Sequence, residues 1–154
     1  SVGIYFCHTH EEIREAVKAL EGRKPLIEEM IQGEELTVGV LNGEGLGVLR
    51  IIPKNKFYDY ESKYAAGGSV HEYPAKIDKK AYDKAMENAV KIHNIIGLRG
   101  ISRSDFMLKD GEVYFLEVNT CPGMTKTSLI PDLGTLKGYT FDDLIKIMVD
   151  TFKK

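Results

Sequence analysis

Residues 102–129, SRSDFMLKDGEVYFLEVNTCPGMTKTSL, constrain the fold more than any other stretch. Two apolar runs, Asp105 to Leu108 and Val113 to Val118, flank Lys-Asp-Gly-Glu, where Gly111 offers a positive φ at no steric cost, so the pattern is that of a β-hairpin. So short a connection makes the two strands antiparallel neighbours, since parallel strands need a crossover of a dozen residues or more. Charge sits where core residues belong: Arg103 and Asp105 open one strand, and Glu117 and Asn119 close the other.

The loop length decides whether these groups meet. A two-residue Asp-Gly turn in regular register sets Asp105 opposite Leu116, on the other face from Glu117. A three-residue loop, Lys109 to Gly111, sets Phe115 opposite Asp105 and Arg103 opposite Glu117, so that Arg103, Asp105, Met107, Glu117 and Asn119 share one face. We expect the second register, because two carboxylates and an amide oxygen then form a hard-oxygen cluster suited to Mg²⁺. The plainer alternative is a rim of structural charges, with Arg103 as salt-bridge partner to the two acids. The Pro/Gly loop Thr120 to Thr125 follows directly, and backbone N–H groups in such a loop can receive an anion.

The rest of the chain reads as support. Thr9-x-x-Glu12 is a capping box, and Ile13, Ala16, Val17 and Leu20 follow at helical spacing up to Gly22. Pro25 to Ile31 and Leu36 to Leu41 read as strands, and Leu46 to Ile52 returns after the turn at Asn42-Gly43. Residues 57–68, FYDYESKYAAGG, are aromatic and charged with no clean period, a loop long enough to be functional. His71 to Ile77 reads as a short strand. Asp78 caps a helix with Tyr82, Ala85, Met86, Ala89, His93 and Ile96 on one stripe, ended by Gly97. His93 on that stripe is a core or boundary histidine. Thr140-x-x-Asp143 caps a last helix with Phe141, Leu144, Ile145, Met148 and Phe152 on its apolar side. Paired strands with three amphipathic helices and no βαβ alternation give an α+β fold with an antiparallel sheet flanked by helices.

Composition narrows the functions. A chain of 154 residues holds one ordinary domain, and 43% hydrophobic with 29% charged residues is a globular balance. A net charge of -2, with Lys and Glu interspersed, speaks against nucleic acid as a partner. No apolar run approaches the roughly 20 residues of a membrane span. Cys7 and Cys121 are too few for a disulfide scaffold and lack metal-site spacing, which fits reduced thiols and a cytoplasmic location.

Several separated segments, in order, carry a resemblance: PLIEEMIQGEELTVGVL, FYDYESKY, RSDFML and EVNTCPGMTKTSLIP together resemble the D-alanine:D-alanine ligases of the ATP-grasp superfamily, over nearly the whole chain. The resemblance implies an ATP-grasp fold with residues 1–42 ending the small nucleotide-clamping lobe and residues 43–154 forming the large lobe. It implies ATP and Mg²⁺, or Mn²⁺, as cofactors and D-alanine as substrate, joined into D-alanyl-D-alanine for peptidoglycan precursor synthesis. For the nucleotide it implies Glu28 at the adenine amine, Met30 and Ile31 presenting backbone groups, Glu35 at the ribose, Phe57 and Met107 packing near the base, and Lys63 at the γ-phosphate. Glu117 would bridge two metal ions whose shells Asp105 and Asn119 complete. Arg103 and the Gly123 N–H would face the oxyanion, Tyr64 the first substrate, and Ser128 and Leu129 the carboxylate of the second D-alanine.

Ser1-Val2-Gly3 resembles the end of the family's Gly-Ser-Ser-Val-Gly loop. This implies a carboxy-terminal portion that lacks the enzyme's amino-terminal half, turns over little by itself and is part of a homodimer at full length. Two rivals stay open: another ATP-grasp carboxylate–amine ligase, including one that takes D-lactate, and a nucleotide-binding module without turnover.

Overall fold

A computed structural model describes residues 3–53, 69–125 and 127–153. Helix α1 (His10–Ala19) is followed by strands β1 (Glu34–Leu41), β2 (Glu44–Pro53) and β3 (Ser69–Glu72). Helix α2 (Lys79–Ile96), strands β4 (Ile101–Lys109) and β5 (Glu112–Asn119), and helices α3 (Leu129–Thr135) and α4 (Phe141–Thr151) complete the order. The strands form one sheet in the order β3-β2-β1-β4-β5, antiparallel at every pairing. This is the α+β architecture read from the sequence.

β1 is the middle strand, and Leu36 to Leu41 are all buried, as a strand covered on both faces requires. The sheet therefore draws on both sides of the division expected at residue 42. On one face α2 lays Ala81, Ala85 and Ala89 against Leu36, Val38, Val40, Val48, Phe106 and Leu108. Alanines four residues apart let the helix axis come close to the strands. On the other face α3 and α4 bring Ile130, Leu133 and Leu144 onto Leu41, Leu46, Leu49, Ile51 and Ile101. The molecule is thus three layers with two cores.

The local signals hold at helix ends. Thr9 with Glu12 and Thr140 with Asp143 both close capping boxes, and Gly97 ends α2 in the left-handed conformation. His93 is buried, its Nδ1 2.7 Å from Ser102 Oγ. Four expectations about the elements fail. The strand read at His71 to Ile77 runs instead from Ser69 to Glu72. Residues 23–32 form no strand, with Leu26 82% exposed, because no other strand offers that segment a partner among the described residues. The segment after Ser128 is a fourth helix. On the two apolar stripes, Ile96 of α2 and Phe141, Ile145 and Phe152 at α4 are exposed, and Leu144 alone of α4 is fully buried.

Candidate functional site

The β4–β5 hairpin turns on two residues. Asp110 and Gly111 have φ of 52° and 81°, the paired positive values that a type I′ turn needs, and Lys109 pairs with Glu112. The three-residue loop expected from the sequence does not form, and Phe115 pairs with Phe106 rather than with Asp105. The rings meet edge to face with centroids 5.7 Å apart, which fixes this part of the ladder. One step further the register shifts: Leu116 is left without a partner, Glu117 stands opposite Asp105, and Asn119 stands opposite Arg103. This bulge restores the shared face by another route than the one expected. Without it Asp105 would meet Leu116, and Glu117 would turn toward α2.

Arg103, Asp105 and Met107 alternate along β4 with Ser104, Phe106 and Leu108, which belong to the α2 side. Their face is the one shared with α3 and α4. Across the sheet Asp105 pairs with Thr37, Arg103 with Gly39 and Met107 with Glu35. Gly39 matters by its lack of a side chain: a Cβ there would lie 3.1 to 3.3 Å from Ile130, Leu46 and Leu133.

Asp105 is 8% exposed and fully engaged. Arg103 reaches it as a fork, Nε to Oδ1 at 2.9 Å and Nη2 to Oδ2 at 2.7 Å, and Thr37 Oγ1 donates to Oδ1. A half-buried pair of this kind offsets its desolvation through two-point geometry. The salt-bridge alternative thus describes the Arg103–Asp105 pair, while Glu117 is exposed and has no hydrogen-bond or ion-pair partner among the described residues. Asn119 Oδ1 accepts from Cys121 N at 3.1 Å, which turns the chain into the Pro/Gly loop.

That loop folds back onto the start of α3. Thr125 N donates to Ser128 Oγ at 2.9 Å, the two hydroxyl oxygens are 2.9 Å apart, and Ser128 N donates to Thr125 O at 3.0 Å. A Cβ on Gly123 would come within 3.0 Å of Ser128 Oγ, so Gly123 and Ser128 are neighbours, with half-buried Leu129 next in the chain. Nearby, His71 Nδ1 lies 3.2 Å from Asp132 Oδ2 and its Nε2 lies 3.3 Å from Ser69 Oγ. The charge of Asp132 raises the Tyr73 phenol above its ordinary value.

Not every expected site residue joins the group. Glu28 and Met30 are exposed and Ile31 half-buried in the segment that lacks a strand, and Glu35 is half-buried on β1 opposite Met107. Phe57, Lys63 and Tyr64 lie outside the described residues. Sequence reasoning missed Thr37, His71 and Asp132. A hydroxyl in the otherwise apolar run LTVGVL was the available signal for Thr37.

No set of three or more His, Cys, Asp or Glu side chains among the described residues forms a metal cage. Two carboxylates and an amide oxygen on one face still fit Mg²⁺, which binds through one or two carboxylates and fills its shell with water and substrate phosphates. Asp105, Glu117 and Asn119 could hold it.

Comparison with known proteins bears on this geometry. The family described as "D-ala D-ala ligase C-terminus" matches residues 1–150. A D-alanine–D-alanine ligase of Fusobacterium nucleatum is 65% identical over 99% of this chain and 53% of its own length. One from Agrobacterium fabrum is 51% identical over 84% of this chain and 44% of its own length. The chain thus spans about half the length of the curated relatives it matches. Among solved structures, a Bacillus anthracis D-alanine–D-alanine ligase complexed with ATP superposes with a TM-score of 0.78 at 27% identity, covering 94% of this chain and 48% of the other. The VanG D-Ala:D-Ser ligase of Enterococcus faecalis gives 0.77 at 30% identity, over 94% of this chain and 44% of the other.

Proposed function

The chain belongs to the D-alanine–D-alanine ligase carboxy-terminal family and has its ATP-grasp fold, and from that premise we propose that it supplies the phosphoryl-transfer face and acceptor loop of such a ligase. ATP gives its γ-phosphoryl group to a carboxylate oxygen of one D-alanine, leaving ADP. The amino nitrogen of a second D-alanine attacks the acyl carbon, phosphate departs with the electrons of the C–O bond, and the nitrogen loses a proton. The product, D-alanyl-D-alanine, enters peptidoglycan precursor synthesis.

The observation that carries this reading is the bulged register that sets Asp105 opposite Glu117 and Arg103 opposite Asn119. Asp105, Glu117 and Asn119 are the ligands for Mg²⁺, with Mn²⁺ as a substitute. The ion, when bound, neutralises phosphate charge during a transfer that needs positioning more than covalent help. Arg103 faces the oxyanion together with the Gly123 N–H, and Ser128 and Leu129 receive the acceptor carboxylate. Glu35 and Met107, partners across β1 and β4, take the nucleoside end, with Glu28, Met30 and Ile31 at the adenine edge. Phe57 packs on the base, Lys63 serves the γ-phosphate, and Tyr64 serves the first substrate. Residues 1–42 close the small nucleotide-clamping lobe and residues 43–154 form the large one, and the protein acts in the cytoplasm as a homodimer at the length of its relatives. Among the described residues no helix is long and apolar enough to cross a membrane.

The test uses a protein that joins residues 1–154 to the further length that the relatives carry. D-Alanine-dependent phosphate release from ATP is expected, and Asp105→Asn or Glu117→Gln should lower it by about a hundredfold or more. Turnover that ignores both substitutions would sink the assignment. A second reading has its own support in the likeness to a D-Ala:D-Ser ligase. Competition among D-alanine, D-serine and D-lactate as acceptors decides between them.

A further inference from the structure

Thr37 sits at the centre of β1, fully buried, directly across from Asp105. Its hydroxyl has two acceptors in range, Asp105 Oδ1 in close contact and the Ser104 carbonyl at 3.5 Å, a length at which little hydrogen bond is left. The proton therefore goes to the carboxylate. Thr is stiff at its first torsion, and its strand neighbours Leu36 and Val38 are packed against α2, so this donor is fixed in place. Asp105 has no comparable rigidity, because the last torsion of an aspartate is broad and roughly two-fold. The Arg103 fork, Nε to Oδ1 at 2.9 Å and Nη2 to Oδ2 at 2.7 Å, holds the carboxylate only while both arms are made; with Nη2 displaced, the remaining Nε lies within 3.3 Å of both oxygens and does not choose between them.

We propose that Thr37 is a positioning residue for the divalent cation: its hydroxyl holds Asp105 Oδ1 and so reserves Oδ2 as the oxygen a cation takes in place of Arg103 Nη2. The role deepens the metal reading of Asp105, Glu117 and Asn119 and rests on it. A carboxylate ligand is set in orientation by its own hydrogen bonds, and loss of such a partner typically costs ~10-fold to ~100-fold in metal affinity.

Mn²⁺ binding to residues 1–154, followed by water-proton relaxation with and without a non-hydrolysable ATP analogue, tests this directly. Thr37→Val keeps the shape and removes the donor, and it should weaken Mn²⁺ binding by ~10-fold or more. Thr37→Ser keeps the donor and should bind close to wild type, and Asp105→Asn sets the floor. Melting curves check that the variants fold, and Thr37→Ala replaces the Val variant should that one not fold. Wild-type affinity in the donor-free variant, beside a weakened Asp105→Asn, overturns the role of Thr37 and leaves the metal site standing. A Ser variant as weak as Val overturns it too. Wild-type protein that takes up no Mn²⁺, or an Asp105→Asn variant that binds as well as wild type, overturns the metal reading and the role of Thr37 together.

Discussion

Gly33 marks the point at which the irregular segment enters the sheet. A Cβ there would lie 2.2 Å from the carbonyl oxygen of Leu108, and a backbone atom in a ladder cannot step aside. Gly33→Ala should therefore destabilise by about 1–3 kcal/mol, the usual cost of overpacking, measured by urea denaturation. Val or Leu at the site should do worse. His93 yields a pH effect of definite sign. Burial holds its imidazole below the ordinary value of about 6.5, so between that value and the folded one the unfolded chain binds more protons. The stability it supports is complete above about pH 6.5 and is lost as the pH falls from there through the folded value, at up to ~1.4 kcal/mol per pH unit. The difference in unfolding free energy between wild type and His93→Gln, followed from pH 8 to 5, should show that slope, and a flat difference would refute it. Residues of this kind divide sharply in how well a sequence announces them. A helix cap such as Thr9 with Glu12 is closed within four positions and can be read directly. Thr37 meets Asp105 across 68 positions of chain, and only the pairing of β1 with β4 brings them together.

At the scale of elements, the hairpin shows where pattern reading stops. Asp-Gly announces a two-residue turn, and polar residues at 103, 105, 117 and 119 announce a common face. The two statements conflict under a regular ladder, and the chain reconciles them with one unpaired residue at Leu116. Nothing local in Phe-Leu-Glu marks a bulge, since what creates it is the demand of Phe106 for the α2 core together with the demand of Glu117 for the opposite face. Deletions test this. Removing Leu116 closes the ladder into regular register and keeps Glu117 opposite Asp105, so Mn²⁺ affinity should survive. Removing Val118 carries Asn119 opposite Ser104, on the α2 side, and affinity should fall by roughly tenfold, the cost of a misplaced ligand shell. If the first deletion abolishes binding and the second does not, the register argument is wrong. The strand expected at residues 25–31 failed for a related reason. A strand is defined by its partner, and Leu26 and Ile27 lie exposed with no ladder among the described residues to join.

At the scale of the whole molecule, the class of fold was legible because hairpins and capped helices are local, whereas the order β3-β2-β1-β4-β5, with the first described strand in the middle, was not. Placing β1 centrally buries it on both faces, and its pairing with β4 sets Thr37 beside Asp105. Ligation, however, needs more than one face: a nucleotide must be held from both sides and an acyl-phosphate kept from water. Residues 1–154 carry the candidate metal ligands, Arg103 and the loop at Gly123 and Ser128, and relatives carry about as much chain again. The expected division of labour follows. Residues 1–154 alone should bind Mn²⁺ with a nucleotide analogue, because Asp105, Glu117 and Asn119 are assembled within one hairpin. They should release phosphate from ATP no faster when D-alanine is added. The same residues joined to the remaining length should respond to D-alanine, and Arg103→Lys in that protein should slow turnover by about two orders of magnitude, since an ammonium cannot reproduce the fork. D-Alanine-dependent phosphate release from residues 1–154 by themselves would show that the hairpin face and its loop suffice, and that the water-excluding enclosure is not required.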